Sequence, residues 1–237
     1  MRRYSSYHER SWDELLKNGV IPEYGANCKN CYIEDTVAIC AGTKIWPGII
    51  IDGRVEIGKN CVIESGVSII GKIEIGDNVL IKQGTRMRGE GYIRSGCVIG
   101  SRELVNPKIG RNCKIEGLII DSEIGEDCEI GRFAEIKRST LSWGVNAKHS
   151  CGIRDASVGY LTNVSEYAQI ANFDGVKKKK TKIGSKCMIG IGVRIMGGVE
   201  IEDECFVADG ARVSENISHQ TYFNPAKAEK RPQLYRA

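Results

Sequence analysis

Long apolar runs are missing from this chain. None exceeds a few residues, so no membrane-spanning helix is expected. The N-terminus, MRRYSSYHERSWDELL, is charged throughout. It lacks the apolar stretch of about 7–15 residues that marks a secretory signal, which predicts a cytoplasmic protein with reduced thiols. Proline is scarce, with 5 in 237 residues, and the 28 glycines follow no triplet, so a collagen-like fibre is excluded. A charged fraction of 27% is ordinary and argues against disorder. Histidine is rarer still. His8, His149 and His219 are the only three, and they fall in the N-terminal segment, the middle and the tail. A zinc centre built from three histidines of one repeat domain is therefore not expected. Cys28 and Cys31 have CxxC spacing with Cys40 nearby, but no second such pair follows, so no metal is expected. There is no glycine-rich nucleotide loop and no Gly-x-Ser-x-Gly elbow.

The net charge is +4, and Lys177, Lys178, Lys179, Lys180 and Lys182 supply five positive charges within six residues. Without them the balance is about neutral. A solvated loop or a local phosphate site fits this cluster better than a nucleic-acid surface, which would need a basic stripe.

What the chain does have is a six-residue period. Ile33, Ile39, Ile45, Ile51, Ile57, Ile63, Ile69, Ile75, Ile81, Met87, Ile93 and Ile99 form twelve consecutive aliphatic steps. By chance such a series has a probability on the order of 10⁻⁷. The phase resumes at Ile109 and Ile115, then resets at Ile124, Leu141 and Val158, and runs unbroken from Ile183 to Val213. The residue two places earlier is smaller, as in Val55, Cys61, Val67 and Val79. The residue after is often Gly, as in Gly58, Gly76, Gly125, Gly131, Gly184 and Gly190. Short strands with alternate residues inward, separated by tight bends, produce this pattern, whereas a helix needs apolar spacing of three and four. Eight of the ten cysteines, all but Cys28 and Cys40, lie two places before a repeat aliphatic. They read as small, reduced core residues rather than disulfides.

Repeats of the form Ile-Gly-x-x-x-x resemble those of the hexapeptide acyltransferases. That resemblance implies an all-β fold, a left-handed parallel β-helix in which three hexads make one coil. Residues 31–213 would form it. Residues 1–30 would be a lead-in with one short helix, begun by a Ser11/Glu14 capping box and stopped at Gly19. Residues 214–237 would be an extended basic C-terminal tail. No linker divides the chain into two cores. Thirteen residues rather than six separate Ile170 from Ile183, so a loop within 171–182 should leave the coil and line a binding site.

The run AEIKRSTLSWGVNAKHSCGIRDASVGYLTNVSEYAQIANFDGVKKKKT, from Ala134 to Thr181, resembles the acetyltransferase half of the bacterial bifunctional enzyme that makes UDP-N-acetylglucosamine. The family's Val-Glu-x-Lys, Ala-x-His, Asp-Ala and Asn-Tyr-Asp-Gly-x-x-Lys pieces align without a gap. Weaker likeness extends over nearly the whole chain, and the uridyltransferase half is missing. The resemblance implies His149 as general base, with Lys137 and Lys178 holding the acceptor phosphate and Asn163 contacting the sugar. It places Asn172 and Phe173 at acetyl-CoA, the co-substrate. It also implies a homotrimer with active sites between solenoids, and a separate uridyltransferase as a partner in the cell. No nucleic acid and no membrane would be involved. An imidazole with a pKa near 6.5 suits the base role, because the attacking amine must lose a proton.

Several positions depart from the family. Gly152 and Phe173 replace tyrosines, Ser165-Glu166-Tyr167-Ala168 replaces Gly-Ala-Gly-Thr, and Ile119, Ile191 and Asp209 replace an Arg, a Ser and an Ala. The resulting reading is an N-acetyltransferase acting on an amino-sugar phosphate, most simply glucosamine 1-phosphate. Two alternatives are a non-catalytic trimeric scaffold, which Glu166 and Asp209 favour, and transfer to another, nucleotide-linked amino sugar, which Gly152 and Ile119 favour.

Overall fold

The computed structural model describes residues 11–22, 30–173 and 175–224. The chain is an all-β parallel β-solenoid of about 11 turns, with one short helix among the described residues. It divides into two compact units, 1–112 and 113–237. Every repeat aliphatic of the long series, from Ile33 to Ile99 in the first unit and from Ile183 to Val213 in the second, is buried.

The period becomes geometry through the strand register. In the first unit Lys44 pairs with Val62, Val62 with Leu80 and Leu80 with Val98, all parallel. Each step is eighteen residues, which is three hexads per coil. Strands Ile50–Ile57, Ser68–Ile75 and Arg86–Ile93 pair along their full eight residues.

In the second unit the first step is fifteen, from Lys114 to Glu129, and those that follow are seventeen. Glu129 pairs with Asn146, Glu135 with Gly152 and Thr140 with Ser157. The lost residue explains the phase resets at Leu141 and Val158, because one corner of each such coil is five residues long. Asp121, Arg138 and Asp155 sit at that shortened corner with φ near +48°. The next step is twenty-five, as in Gln169 with Arg194, and it then returns to eighteen, as in Arg194 with Arg212. The seven extra residues lie between strands Gln169–Ile170 and Thr181–Ile183, where the sequence places the loop. Pairing continues beyond Val213, since Tyr222–Phe223 lies against Phe206–Val207.

The helix Trp12–Lys17 ends as expected. Gly19, at φ 78°, donates to the Leu16 carbonyl and Val20 to that of Leu15, both at 3.0 Å. Its start differs from expectation. The Ser11 hydroxyl makes no bond into the helix, and the Glu14 and Leu15 N–H groups reach the Ser11 carbonyl at 3.1 and 3.2 Å instead.

The repeat glycines also have a different cause than bending. Gly58, Gly125, Gly131 and Gly184 do not have positive φ. The left-handed residue of each turn comes two places later, as at Asn60 and Asn78, with φ 55° and 57°. Glycine is required there because the next coil passes too close. A Cβ at Gly131 would lie 1.5 Å from the Lys148 carbonyl oxygen, and one at Gly58 would lie 2.6 Å from the Gly76 carbonyl carbon. Gly131→Ala should therefore destabilise the protein by roughly 3 kcal/mol through overpacking. Gly84→Ala has open space and only its φ of 71° against it, so its cost should be about 1–2 kcal/mol. Urea unfolding of the two variants measures the difference.

Seven of the eight cysteines read as core residues are buried and Cys31 is half-buried, and the thiols also donate. At one corner the thiols of Cys61 and Cys97 in the first unit reach the carbonyls of Gly76 and Gly110 at 3.1 and 3.0 Å. In the second unit Cys113, Cys128, Cys187 and Cys205 do the same, at 3.0–3.1 Å, to Gly125, Ser142, Glu202 and Ser218. Thr43 and Thr162 stand at equivalent positions and donate at 2.8 Å to Gly58 and Gly184. Each donor satisfies a carbonyl where its coil closes, which would otherwise be an orphan. Cys187→Thr should accordingly keep most of the stability, while Cys187→Val should lose about 1–2 kcal/mol. Chemical denaturation of both variants checks this.

Candidate active site

The strand Gly152–Arg154 forms one face of its coil and separates two corners that carry the predicted site residues. At the corner before it, His149 is exposed to solvent. Lys148 beside it pairs with Glu129 at 2.7 Å, and this pairing holds the Glu129 carboxyl below its usual range. Ser150, at φ 37°, donates its N–H to the Arg132 carbonyl at 3.2 Å. One coil to either side stand Phe133 and Tyr167, 79% and 59% exposed, both in left-handed backbone at φ 62° and 58°. Bulky residues are uncommon in that region, which is the regular turn conformation of this solenoid, as also at Leu161.

Asn163 lies on the neighbouring face, in register with Asn146 and Met188. Its amide donates to Ser165 Oγ at 3.0 Å and Met188 Sδ at 3.2 Å.

The other corner gathers Lys137, Asn172 and Lys178. Lys137 ends the strand Glu135–Lys137 and lies in register with Arg154. Asp155 is the hub. Its carboxylate accepts two bonds from the Arg138 guanidinium, at 2.7 and 2.6 Å, and a third from the Asn172 amide. Its backbone N–H donates to the Lys137 carbonyl at 3.0 Å. The Arg138 pairing and the Asn172 bond hold its pKa at about 2. The inserted loop is a small hairpin, closed by an antiparallel bridge between Phe173 and Lys178. Phe173 is more than half exposed on it. Gly197 makes room for it, since a Cβ there would lie 2.9 Å from the Asn172 backbone.

The face between the corners is also occupied. Arg154 folds back over Gly152 to bond Glu135 at 2.6 Å and Gln169 at 3.1 Å. A Cβ at Gly152 would lie 2.6 Å from that guanidinium. The arginine thus lies across the position where the resembled family carries a tyrosine. Ile119 is buried in the core, so its position offers no group to a ligand. The Asp209 carboxylate caps the Ile191 N–H at 2.7 Å. Burial pushes the Cys151 thiol up to about 12, so at neutral pH it is no thiolate nucleophile.

Within one chain the five predicted polar residues therefore form two clusters. His149 and Asn163 flank one corner, and Lys137, Asn172 and Lys178 occupy the other. The three-residue strand between them spans roughly 10 Å. Sequence reasoning missed Arg138, Asp155 and Arg154 as organisers of the site. The signal for the first two was the five-residue step from Ile136 to Leu141 and from Ile153 to Val158. His8 and Cys28 lie outside the described residues, and among those described no group of three or more His, Cys, Asp or Glu side chains could hold a metal. No helix among them is long and apolar enough to cross a membrane. Open clefts of about 550 and 240 Å³ lie in the first unit and include none of these residues.

The bacterial transferase hexapeptide family model, of six repeats, matches residues 54–89 and 180–215. The chain carries a hexapeptide-repeat domain. It is 31% identical over 192 residues to the bifunctional protein GlmU of Clostridium novyi, covering 80% of this chain and 38% of that protein. It is 31% identical over 211 residues to the bifunctional protein GlmU of Clostridium beijerinckii, covering 86% and 43%. The hexapeptide-repeat chain thus spans about two fifths of the length of the curated relatives it matches, as expected for a likeness to the acetyltransferase half alone. A solved UDP-N-acetylglucosamine acyltransferase from Campylobacter jejuni aligns over 86% of this chain and 68% of its own, at 14% identity and a TM-score of 0.37. That likeness is too distant to carry a functional argument.

The Asp155 carboxyl has a pKa lowered from 3.8 to about 2 in the folded protein. It therefore stabilises the fold above about pH 4, and that contribution is lost as pH falls from 4 toward 2. Allowing for solvent screening, the loss should be about 1–2 kcal/mol. Thermal melts at pH 5 and pH 2.5 should show a smaller pH effect in Asp155→Asn than in the natural protein.

Proposed function

We propose that this protein is an acetyl-CoA-dependent N-acetyltransferase acting on an amino-sugar phosphate, with glucosamine 1-phosphate as the acceptor. The observation that carries the reading is the disposition of the corners. An accessible imidazole stands at one edge of a strand face, and a cationic cluster with an amide stands at the other.

In this reading His149 takes a proton from the amino group as the nitrogen attacks the thioester carbonyl. The C–S bond then breaks, and the departing thiolate of coenzyme A is protonated. Lys137 and Lys178 neutralise the acceptor phosphate as point charges. Asn163 contacts the sugar, and Asn172 and Phe173 contact the donor. Because one chain separates the two clusters, a complete site would form between copies, which supports a homotrimer with the 171–182 loop reaching a neighbour. A cytoplasmic setting would supply acetyl-CoA, and a separate uridyltransferase would use the product.

Two observations favour other readings. Glu166 and the exposed Tyr167 stand where the resembled family has small residues along the donor, which favours a non-catalytic trimeric scaffold. Arg154 lying over Gly152 favours a different, nucleotide-linked amino-sugar acceptor.

The test is release of free thiol from acetyl-CoA in the presence of glucosamine 1-phosphate. Turnover is expected, and His149→Ala should lower kcat by about 10²–10⁴-fold. No turnover with a panel of amino sugars, together with no acetyl-CoA binding by calorimetry, would overturn both enzyme readings.

A further inference from the structure

The inserted loop carries Asn172 and Lys178, two of the groups the acetyltransferase reading requires. Its hairpin is closed by one backbone bond, from the Lys179 N–H to the Asn172 carbonyl at 2.7 Å, and by the bridge between residues 173 and 178. Both ends of the loop return to one residue. The Asn172 amide donates to the Asp155 carboxylate, and the Thr181 N–H donates to the Asp155 carbonyl at 3.0 Å. Asp155 is itself held by the two-pronged Arg138 contact at 2.7 and 2.6 Å. A two-pronged guanidinium–carboxylate contact fixes orientation as well as distance. The Lys178 charge adds a smaller favourable interaction with the Asp155 carboxylate.

We infer that Asp155, oriented by Arg138, is the positioning residue that sets the Asn172 amide and the cationic loop for ligand binding. The inference rests on the acetyltransferase reading for its catalytic consequence, but not for its structural one. Removing the carboxylate frees the Asn172 side chain, leaves Arg138 without its partner and loosens the Asn172 end of the hairpin. The corner turn at residue 155 stays, because its backbone bonds to Lys137 and Thr181 do not involve the side chain.

The loop contains its own reporter, because the run Lys177–Lys180 is a string of trypsin sites. Limited trypsin digestion of the full chain, with mass spectrometry of the fragments, reads loop order directly. In Asp155→Ala, cleavage within 177–180 should be at least about tenfold faster than in the natural protein, at a temperature well below a thermal melt that is lowered only modestly at pH 7. Arg138→Ala should do the same, and the double variant should be no faster than either, as expected for two residues acting through one contact. Should Asp155→Ala fail to fold, Asp155→Asn, which keeps the shape, serves in its place.

In the thiol-release assay Asp155→Ala should raise KM by at least about tenfold while leaving the pH profile of kcat in place. Unchanged cleavage overturns the inference. Faster cleavage with unchanged KM reduces Asp155 to a purely structural role and also overturns it. If the natural protein shows no turnover, the acetyltransferase reading falls, and the digestion alone decides whether Asp155 holds the loop.

Discussion

Every feature of this protein depends on parallel stacking in register. Strand residues alternate, one giving both its N–H and its carbonyl to the coil on one side and the next giving both to the coil on the other. A residue's neighbours are therefore set by chain length alone, eighteen positions away where a coil is regular and seventeen where one corner is shortened. Side chains at equivalent positions form columns, and whatever stands in a column must suit both neighbours. This is why an aliphatic residue recurs at every step of the long series from Ile33 to Ile99, and why a position where coils nearly touch, such as Gly131, requires glycine.

The same constraint accounts for the cysteines. The closing corner of each coil leaves a buried carbonyl with no strand partner, and a short side chain two places before an inward aliphatic can reach it. A thiol or a threonine hydroxyl supplies the donor without adding bulk. The donors recur because the unsatisfied carbonyl recurs.

Departures from regularity coincide with the candidate site. The five-residue corner forces Arg138 and Asp155 into left-handed backbone, and there they meet as an ion pair. The seven-residue insertion emerges at the next coil of that corner and is tied to the same carboxylate. At the far edge of the face, His149 lies between coils whose corner residues, Phe133 and Tyr167, project bulky rings from left-handed backbone. Regular coils supply stability, and the irregular ones supply accessible polar groups. One chain presents the two groups of site residues on separate corners, which is the arrangement that copies of a chain could complete for one another.

The sequence by itself determined the class of fold, the inward residues and the place of the loop, because a six-residue period leaves little freedom once strands stack in parallel. It also pointed to His149, Lys137, Asn163, Asn172 and Lys178 through a gap-free run of motif residues. The tertiary structure alone decided which of these share a corner, because that depends on the coil length at each level and not on sequence distance. It alone showed that Arg154 lies across Gly152 and that Asp155 gathers Arg138, Asn172 and both ends of the loop. These contacts join residues fifteen to nineteen positions apart for Arg154, seventeen for Arg138 and Asn172, and twenty-six for Thr181. A side chain's reach across stacked coils leaves no mark on a repeat pattern, since the pattern records which residues face inward and is silent about how the outward ones meet.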